Sequence, residues 1–448
     1  MDTQQATDLA RGQMPMVRDA LSRLVAHPSI AFDGFPAEPM HAIGEDLLEM
    51  FRGAGVPDAR LLDLGVGYPT LYAEIPGPEG SPVVTLYAHY DVQPAPESQG
   101  WTTDPWTLTE GEDGRWYGRG AADDKSGVVA HLATLAAFEG RPPVTIRLCI
   151  EGEEEAAGNI DDYVARHPEQ FASDVFVVAD SGNASVGEPG LTTGLRGNVT
   201  VTVTVRTIEK SLHSGLFGGG APDALVSMIQ LLGSMYDENG ATVIAGLDSY
   251  EWPDGHVDER MFRESAAVLD GVDLPGEGDL ASRLWSRPAA TVIGLDACPV
   301  DGAANAVPPS ARARVSLRIA PGSDPQRQAE ILTSFLQENA PRGAHVEVTD
   351  VKINQPFLAA TDGPAVGLAL DCLGEVFGKP AAQHGSGGSI PLVETFLSTS
   401  DGAEAILWGA EDEEKARIHG PDESVDPKEL EDLIATQILF LARLAESR

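Results

Sequence analysis

Apolar positions along the 448-residue chain follow first a helical and then an extended rhythm. Leu9, Val17, Leu21 and Leu24 recur at helical spacing, as do Ile43, Leu47 and Phe51, and Gly53 suits the C-cap of the second set. Short continuous apolar runs follow: TLYAEI (70–75), VVTLYA (83–88), VTIRLCI (144–150) and VFVVA (175–179). Between them GVVAHLATLAAFE (127–139) reads as a helix. Runs of that length, alternating with helical patterns, predict an α/β fold: a mainly parallel sheet covered by helices.

The rhythm changes near residue 197. NVTVTVTVR (198–206) and ARARVSLRIA (311–320) alternate strictly between apolar and polar, as strands with one wet face do. Helical patterns at 223–236 and 324–338 and the strand-like HVEVTDV (345–351) accompany them. Residues 197–352 are therefore expected to form an inserted α+β unit, and 1–196 with 353–448 the domain that receives it. A helix near 363–377, a Gly-rich loop and a terminal helix from about 427 close the pattern. Residues 237–295 carry scattered Gly, Pro and acidic residues and give no clear element.

Composition narrows the function classes. A formal charge of −39 excludes a phosphate backbone or an anionic membrane surface as the natural partner. The N-terminus lacks the basic and apolar regions of a signal peptide, and no stretch has the length of a membrane span. Cys149, Cys298 and Cys372 are too far apart for a CxxC motif and too few for a disulfide framework. These features point to the cytoplasm.

The apolar runs end in chemistry. VVTLYA leads into His89 and Asp91, VTIRLCI into Glu151 and the triplet Glu153-Glu154-Glu155, and VFVVA into Asp180. The loop YGRGAADDKSG carries Asp123 and Asp124 just before a helix. Taken singly, each is ordinary: a charged turn, a solvated loop, a helix N-cap. Functional groups of open α/β sheets collect beyond the carboxyl ends of strands, so these ends would gather several carboxylates and a histidine on one rim. Carboxylates that close repel one another, and divalent cations would relieve the repulsion.

On the segments AHYDVQP, YGRGAADDKSG, EGEEEAAG, VVADSG, GLRG, KSLHSGLFGG, NAVPPSARARVSLRIAP, GSGGSIP and IHGPDES, the sequence resembles the two-metal peptidases and deacylases. That family includes carboxypeptidase G, aminoacylase, succinyl-diaminopimelate desuccinylase and, closest in local motifs, the carnosinase-like dipeptidases. The resemblance spans nearly the whole chain. It implies one metal held by His89, Asp123 and Asp180 and another by Asp123, Glu155 and His419, with Asp123 bridging. Mixed imidazole and carboxylate ligation suits zinc, and also manganese or cobalt. The resemblance further implies that Asp91 accepts a hydrogen bond from the far nitrogen of His89, and that the Asp123–Asp124 peptide bond is cis. It makes Glu154 the general base and acid, the register anchored by Glu151-Gly152. The other register would use Glu153 and Glu154.

The same resemblance makes the inserted unit a lid and dimerisation domain. His213 would reach a partner subunit's site and help stabilise the oxyanion. Asn305, Arg318 and Ser389 would contact substrate, Arg318 by clamping a terminal carboxylate. His384 matches no ligand position, although it lies just before the Gly-rich loop, and Glu423 would support His419 or be a surface charge. The expected activity is metal-dependent hydrolysis of dipeptides with a free C-terminal carboxylate by a homodimer. An N-acyl-amino-acid deacylase is the alternative, and a non-catalytic binding protein on the same fold a more distant one.

Overall fold

The computed structural model describes every residue of the chain except Ala157, Asp254, Ser389, Pro391 and Arg448. The apolar runs form the centre of a nine-stranded sheet. Strands Thr145–Glu151, Val83–His89, Val175–Val178 and Glu404–Leu407 lie side by side in that order, all parallel. Their carboxyl ends therefore share one rim. The flanks are mixed: Thr70–Ile75 pairs antiparallel with Thr145–Glu151, and Gly190–Leu195 antiparallel with Glu404–Leu407.

The central strands are continuously apolar because both faces are covered. Val84, Leu86 and Ala88, with Val175 and Val177, pack into a core formed with helices Thr3–Val25, Lys125–Ala137 and Pro427–Leu444. The alternate residues Tyr87, Phe176 and Val178 face the other way, into a second core with Phe171 and Phe396. Phe176 and Phe396 stack with ring centroids 5.0 Å apart.

Strand Gly197–Arg206 is separated from Gly190–Leu195 by Arg196 alone and enters a separate four-stranded sheet with Ala289–Asp296, Ser310–Ile319 and His345–Asn354. Val199, Val201, Val203 and Val205 pack against helices Ala224–Gly233 and Pro325–Glu338 in a core of their own. Ala289–Asp296 is one of the two edge strands of this sheet and leaves Ile293 and Leu295 exposed.

Three details differ from the sequence pattern. Gly53 is the last helical residue of Glu38–Gly53, and the left-handed conformation belongs to Gly55. The irregular stretch contains two short helices, Glu259–Ser265 and Leu280–Trp285, besides the edge strand. Strands Gly190–Leu195, Ala382–Ser386 and Glu404–Leu407 carry too little periodicity to announce themselves. Among the described residues, no helix is long and apolar enough to cross a membrane.

Candidate metal centre

The rim of the parallel strands gathers two groups of donors. In one, ligand atoms of His89, Asp123 and Asp180 lie within 4.8 Å of one another, and in the other, those of Asp123, Glu155 and His419. His89 Nε2 is 3.0 Å from Asp123 Oδ1 and 3.7 Å from Asp180 Oδ1. His419 Nε2 is 3.0 Å from Asp123 Oδ2 and 3.3 Å from Glu155 Oε2. Asp123 thus turns one oxygen to each group. Zinc bonds of roughly 2.0–2.2 Å put tetrahedral donors roughly 3.3–3.6 Å apart, so the spacing and the donor chemistry fit divalent ions.

Electrostatics agrees with that fit. Burial and the nearby Asp180 push the Glu154 carboxyl well above its usual range. Burial raises Glu155 as well, against the pull of its hydrogen bond to His419. Hydrogen bonds to Asp123 and Glu155 raise the His419 imidazole to about 10. His89 loses stability as a cation through burial, but its carboxylate partners outweigh this and raise it well above the ordinary value. Among the described residues of the rim, the two imidazoles offer positive charge to crowded carboxylates, a place that a bound cation would take over.

Asp91 differs from the expectation. Its carboxylate accepts the backbone N–H groups of Glu154 at 3.0 Å and Glu155 at 3.1 Å. The far nitrogen of His89, Nδ1, lies 3.1 Å from the Asp91 carbonyl oxygen and 3.4 Å from its carboxylate. A proton on Nδ1 donated to that carbonyl leaves the Nε2 lone pair free to bind an ion. Asp91 therefore grips the glutamate triplet as well as the ring.

The triplet is divided by this grip. Glu153 is buried and accepts from Asn159 Nδ2 at 2.7 Å, away from both donor groups. Glu155 joins the second group and also accepts from Gln93 Nε2 at 2.7 Å. Glu154 belongs to neither group but lines the same cleft of about 540 Å³ as Asp123, Glu155, Asp180 and His419. Gly152 has no room for a side chain, since a Cβ there would stand 2.4 Å from the Tyr90 hydroxyl. Glu151 accepts the Tyr87 hydroxyl at 2.7 Å and is pushed up to about 8 by burial.

The loop of Asp123 is clamped from an unexpected side. Glu423 is fully buried and accepts the N–H groups of Gly120, Ala122 and Asp123 at 3.1, 3.0 and 3.0 Å. It also pairs with Arg119 at 2.6 Å. It has no hydrogen bond to His419, because the intervening loop is not helical: Arg417, His419 and Asp422 all have positive φ. Asp422 ties that loop down by accepting the backbone N–H of Thr102 at 2.7 Å and its hydroxyl at 2.9 Å. Gln93 and Asp422 lie within the segments AHYDVQP and IHGPDES, but neither is assigned a role from the sequence. The Asp123–Asp124 peptide bond is cis. Asp124 N-caps the following helix through Gly127 N and accepts the His89 N–H at 3.1 Å.

The expected substrate residues are distributed unevenly. Arg318 lines the cleft, with Ser386 and Gly388 beside it. Ser389 lies outside the described residues. His384 also lines the cleft, buried, with Nε2 2.9 Å from the Gly182 carbonyl, and burial lowers its imidazole to about 4. His213 and Asn305 do not line the cleft. Both are exposed: His213 pairs with Ala306 on a two-strand ladder, and Asn305 lies just before that strand, its carbonyl accepting the Ser214 N–H at 2.9 Å.

Comparison with known proteins follows the geometry. Residues 85–446 match the family described as Peptidase family M20/M25/M40. The chain is 41% identical over 372 residues to a cysteinylglycine-S-conjugate dipeptidase of Corynebacterium striatum, covering 81% of each chain. It is 28% identical over 414 residues to a Beta-Ala-His dipeptidase of Rattus norvegicus, covering 88% of this chain and 82% of the relative. Its fold is similar to the solved structure of the di-peptidase Dug1p of Saccharomyces cerevisiae, with a TM-score of 0.84 at 20% identity over 100% of this chain and 99% of that one.

Proposed function

The chain belongs to peptidase family M20/M25/M40, and from that premise we propose that it is a metal-dependent dipeptidase acting on substrates with a free C-terminal carboxylate. The observation that carries this reading is Asp123, whose two oxygens each lie 3.0 Å from a different histidine, with Glu154 beside both donor groups and in neither. Two divalent ions, one held by His89, Asp123 and Asp180 and the other by Asp123, Glu155 and His419, would supply Lewis acidity to the scissile carbonyl and acidify the attacking water. Zinc suits that donor set, and manganese and cobalt share its preferences.

Glu154 takes the proton of the water and passes it to the leaving amine nitrogen. Its place in the cleft beside both donor groups, and in neither, supports this role. Asp91 fixes the turn that aims Glu154 by holding its backbone N–H and that of Glu155. Arg318 lines the cleft, forms no ion pair among the described residues and is available to a substrate carboxylate.

Segment 197–352 is proposed as a lid and dimerisation domain. His213 and Asn305 would then serve the cleft of a second copy of this chain. Exposed Leu216, Phe217, Val226 and Ile229, with the open edge strand carrying Ile293 and Leu295, support an apolar contact of that kind. Free cysteines at Cys149, Cys298 and Cys372 support a reducing, cytoplasmic setting.

The test is metal-stripped protein refilled with zinc, manganese or cobalt and assayed on parallel panels of dipeptides and N-acyl-amino acids. Restored turnover of dipeptides supports the reading. Turnover of N-acyl-amino acids alone would make the protein a deacylase.

A further inference from the structure

Arg196 has no assigned task, and its situation is unusual. Only 9% of it is exposed, its Nε has no hydrogen-bond partner, and it forms no ion pair among the described residues. This occurs in a chain with 69 acidic residues against 30 Lys and Arg, so carboxylates are not scarce. Buried charges in proteins are normally paired, because desolvation is costly and only a counter-charge offsets it.

The strand register places a second guanidinium beside it. Asn198 stands directly opposite Arg318 in the pairing of Gly197–Arg206 with Ser310–Ile319. Arg196 is the single residue linking strands Gly190–Leu195 and Gly197–Arg206, two positions before Asn198 and next to the Gly197–Ile319 pair, near enough for the Arg318 charge to act on it. Burial, with the nearby Arg318 charge, lowers Arg196 to about 10, so both remain cations at neutral pH.

The far end of Arg196 lies under the glycine turn that borders the cleft. A Cβ on Gly387 would stand 2.8 Å from Arg196 Nη2, so the turn packs closely over the guanidinium. Ser386 and Gly388 of this turn line the cleft together with Arg318. The Arg196 backbone N–H donates to the Ser386 carbonyl at 3.2 Å, which fixes the turn to the strand.

We infer that Arg196 and Arg318 form a two-guanidinium site for the C-terminal carboxylate of the substrate, with Arg196 as a specificity-determining residue beneath the Gly387 turn. The inference rests on the dipeptidase reading and deepens it. Two adjacent cations without internal partners repel each other until an anion arrives, so the site gains more from a carboxylate than a single arginine would. An uncharged C-terminal amide forfeits most of that gain.

The experiment compares a dipeptide with its C-terminal amide on metal-loaded wild type, Arg196→Gln and Arg196→Lys, recording kcat and KM separately and the thermal midpoint of each protein. Wild type is expected to prefer the acid. In Arg196→Gln the ratio of kcat/KM for acid over amide should fall about tenfold, through the KM of the acid, as loss of a charge-assisted contact implies. Arg196→Lys, which keeps the charge and loses the fork, should fall between the two. An unchanged ratio in Arg196→Gln overturns the inference, and so does an equal loss on both substrates. A wild type without preference for the acid overturns carboxylate recognition altogether, and with it the dipeptidase reading that this inference deepens.

Discussion

Replacing Glu423 by Ala should loosen the candidate site without touching any proposed metal ligand. The carboxylate holds three backbone N–H groups of the Gly120–Asp123 turn and the guanidinium of Arg119, with both side chains of the ion pair only 1% exposed. Truncation leaves Arg119 as a buried cation without its counter-charge, a loss of roughly 3–5 kcal/mol in comparable pairs. Arg119 Nη2 keeps the Gly420 carbonyl at 3.1 Å, which offsets part of this. The three orphaned donors add to the loss, since each buried N–H without a partner costs roughly 1–3 kcal/mol where water cannot enter. With water entering the space the side chain leaves and re-solvating most of those donors, the net expectation is about 4 kcal/mol, a large part of an ordinary domain's stability. Because the same turn presents Asp123 to both donor groups, metal affinity should fall by about 10–100-fold. Urea unfolding of the metal-free protein measures the first effect, and titration with zinc against a competing chelator the second. A shift below about 1 kcal/mol with unchanged affinity would show that the clamp is not what holds the turn.

Other consequences are open to direct measurement. Glu154→Gln should retain bound metal and lose about 10²–10⁴-fold in kcat, whereas Glu153→Gln should stay active; the reverse pattern would move the base by one residue. His419→Ala should bind one ion less tightly while the His89 group still loads, as read by metal analysis. His131 is fully buried, its Nε2 lies 2.9 Å from the Tyr87 carbonyl, and burial lowers it from 6.5 to about 4. Its unfolded form takes up a proton first as pH falls, so its contribution is fully present above about pH 6.5. It is lost toward pH 4, amounting to about 3 kcal/mol. Urea midpoints of wild type should therefore drop more between pH 7.5 and 4.5 than those of His131→Leu. His213→Ala should reduce turnover without changing metal content, and a fully active monomer would exclude its service to a partner subunit.

Much of the candidate centre could be read from the sequence because its residues follow strand ends. His89, Glu151 and Asp180 come directly after apolar runs, and four parallel strands bring their carboxyl ends to one rim whatever the loops do. Glu423 was harder. Its spacing of four residues from His419 suggests support for that ligand, as on a helix, yet the positive φ of Arg417, His419 and Asp422 turns it toward Asp123 instead. The role of Asp91 shifted for a similar reason: the return of the chain after Glu151 offers it two backbone N–H groups that no pattern of side chains announces.

The sequence by itself determined the layered α/β architecture, the change of sheet at residue 197 and the residue types available for chemistry, because hydrophobic period and strand-end position are local properties of the chain. Only the tertiary structure decided which glutamate faces the cleft, which groups clamp Asp123 and that Arg196 is buried with no ion-pair partner among the described residues. Those outcomes depend on hydrogen bonds and charges from segments as much as 303 residues apart, as between Gly120 and Glu423, and no local pattern encodes a distance in space.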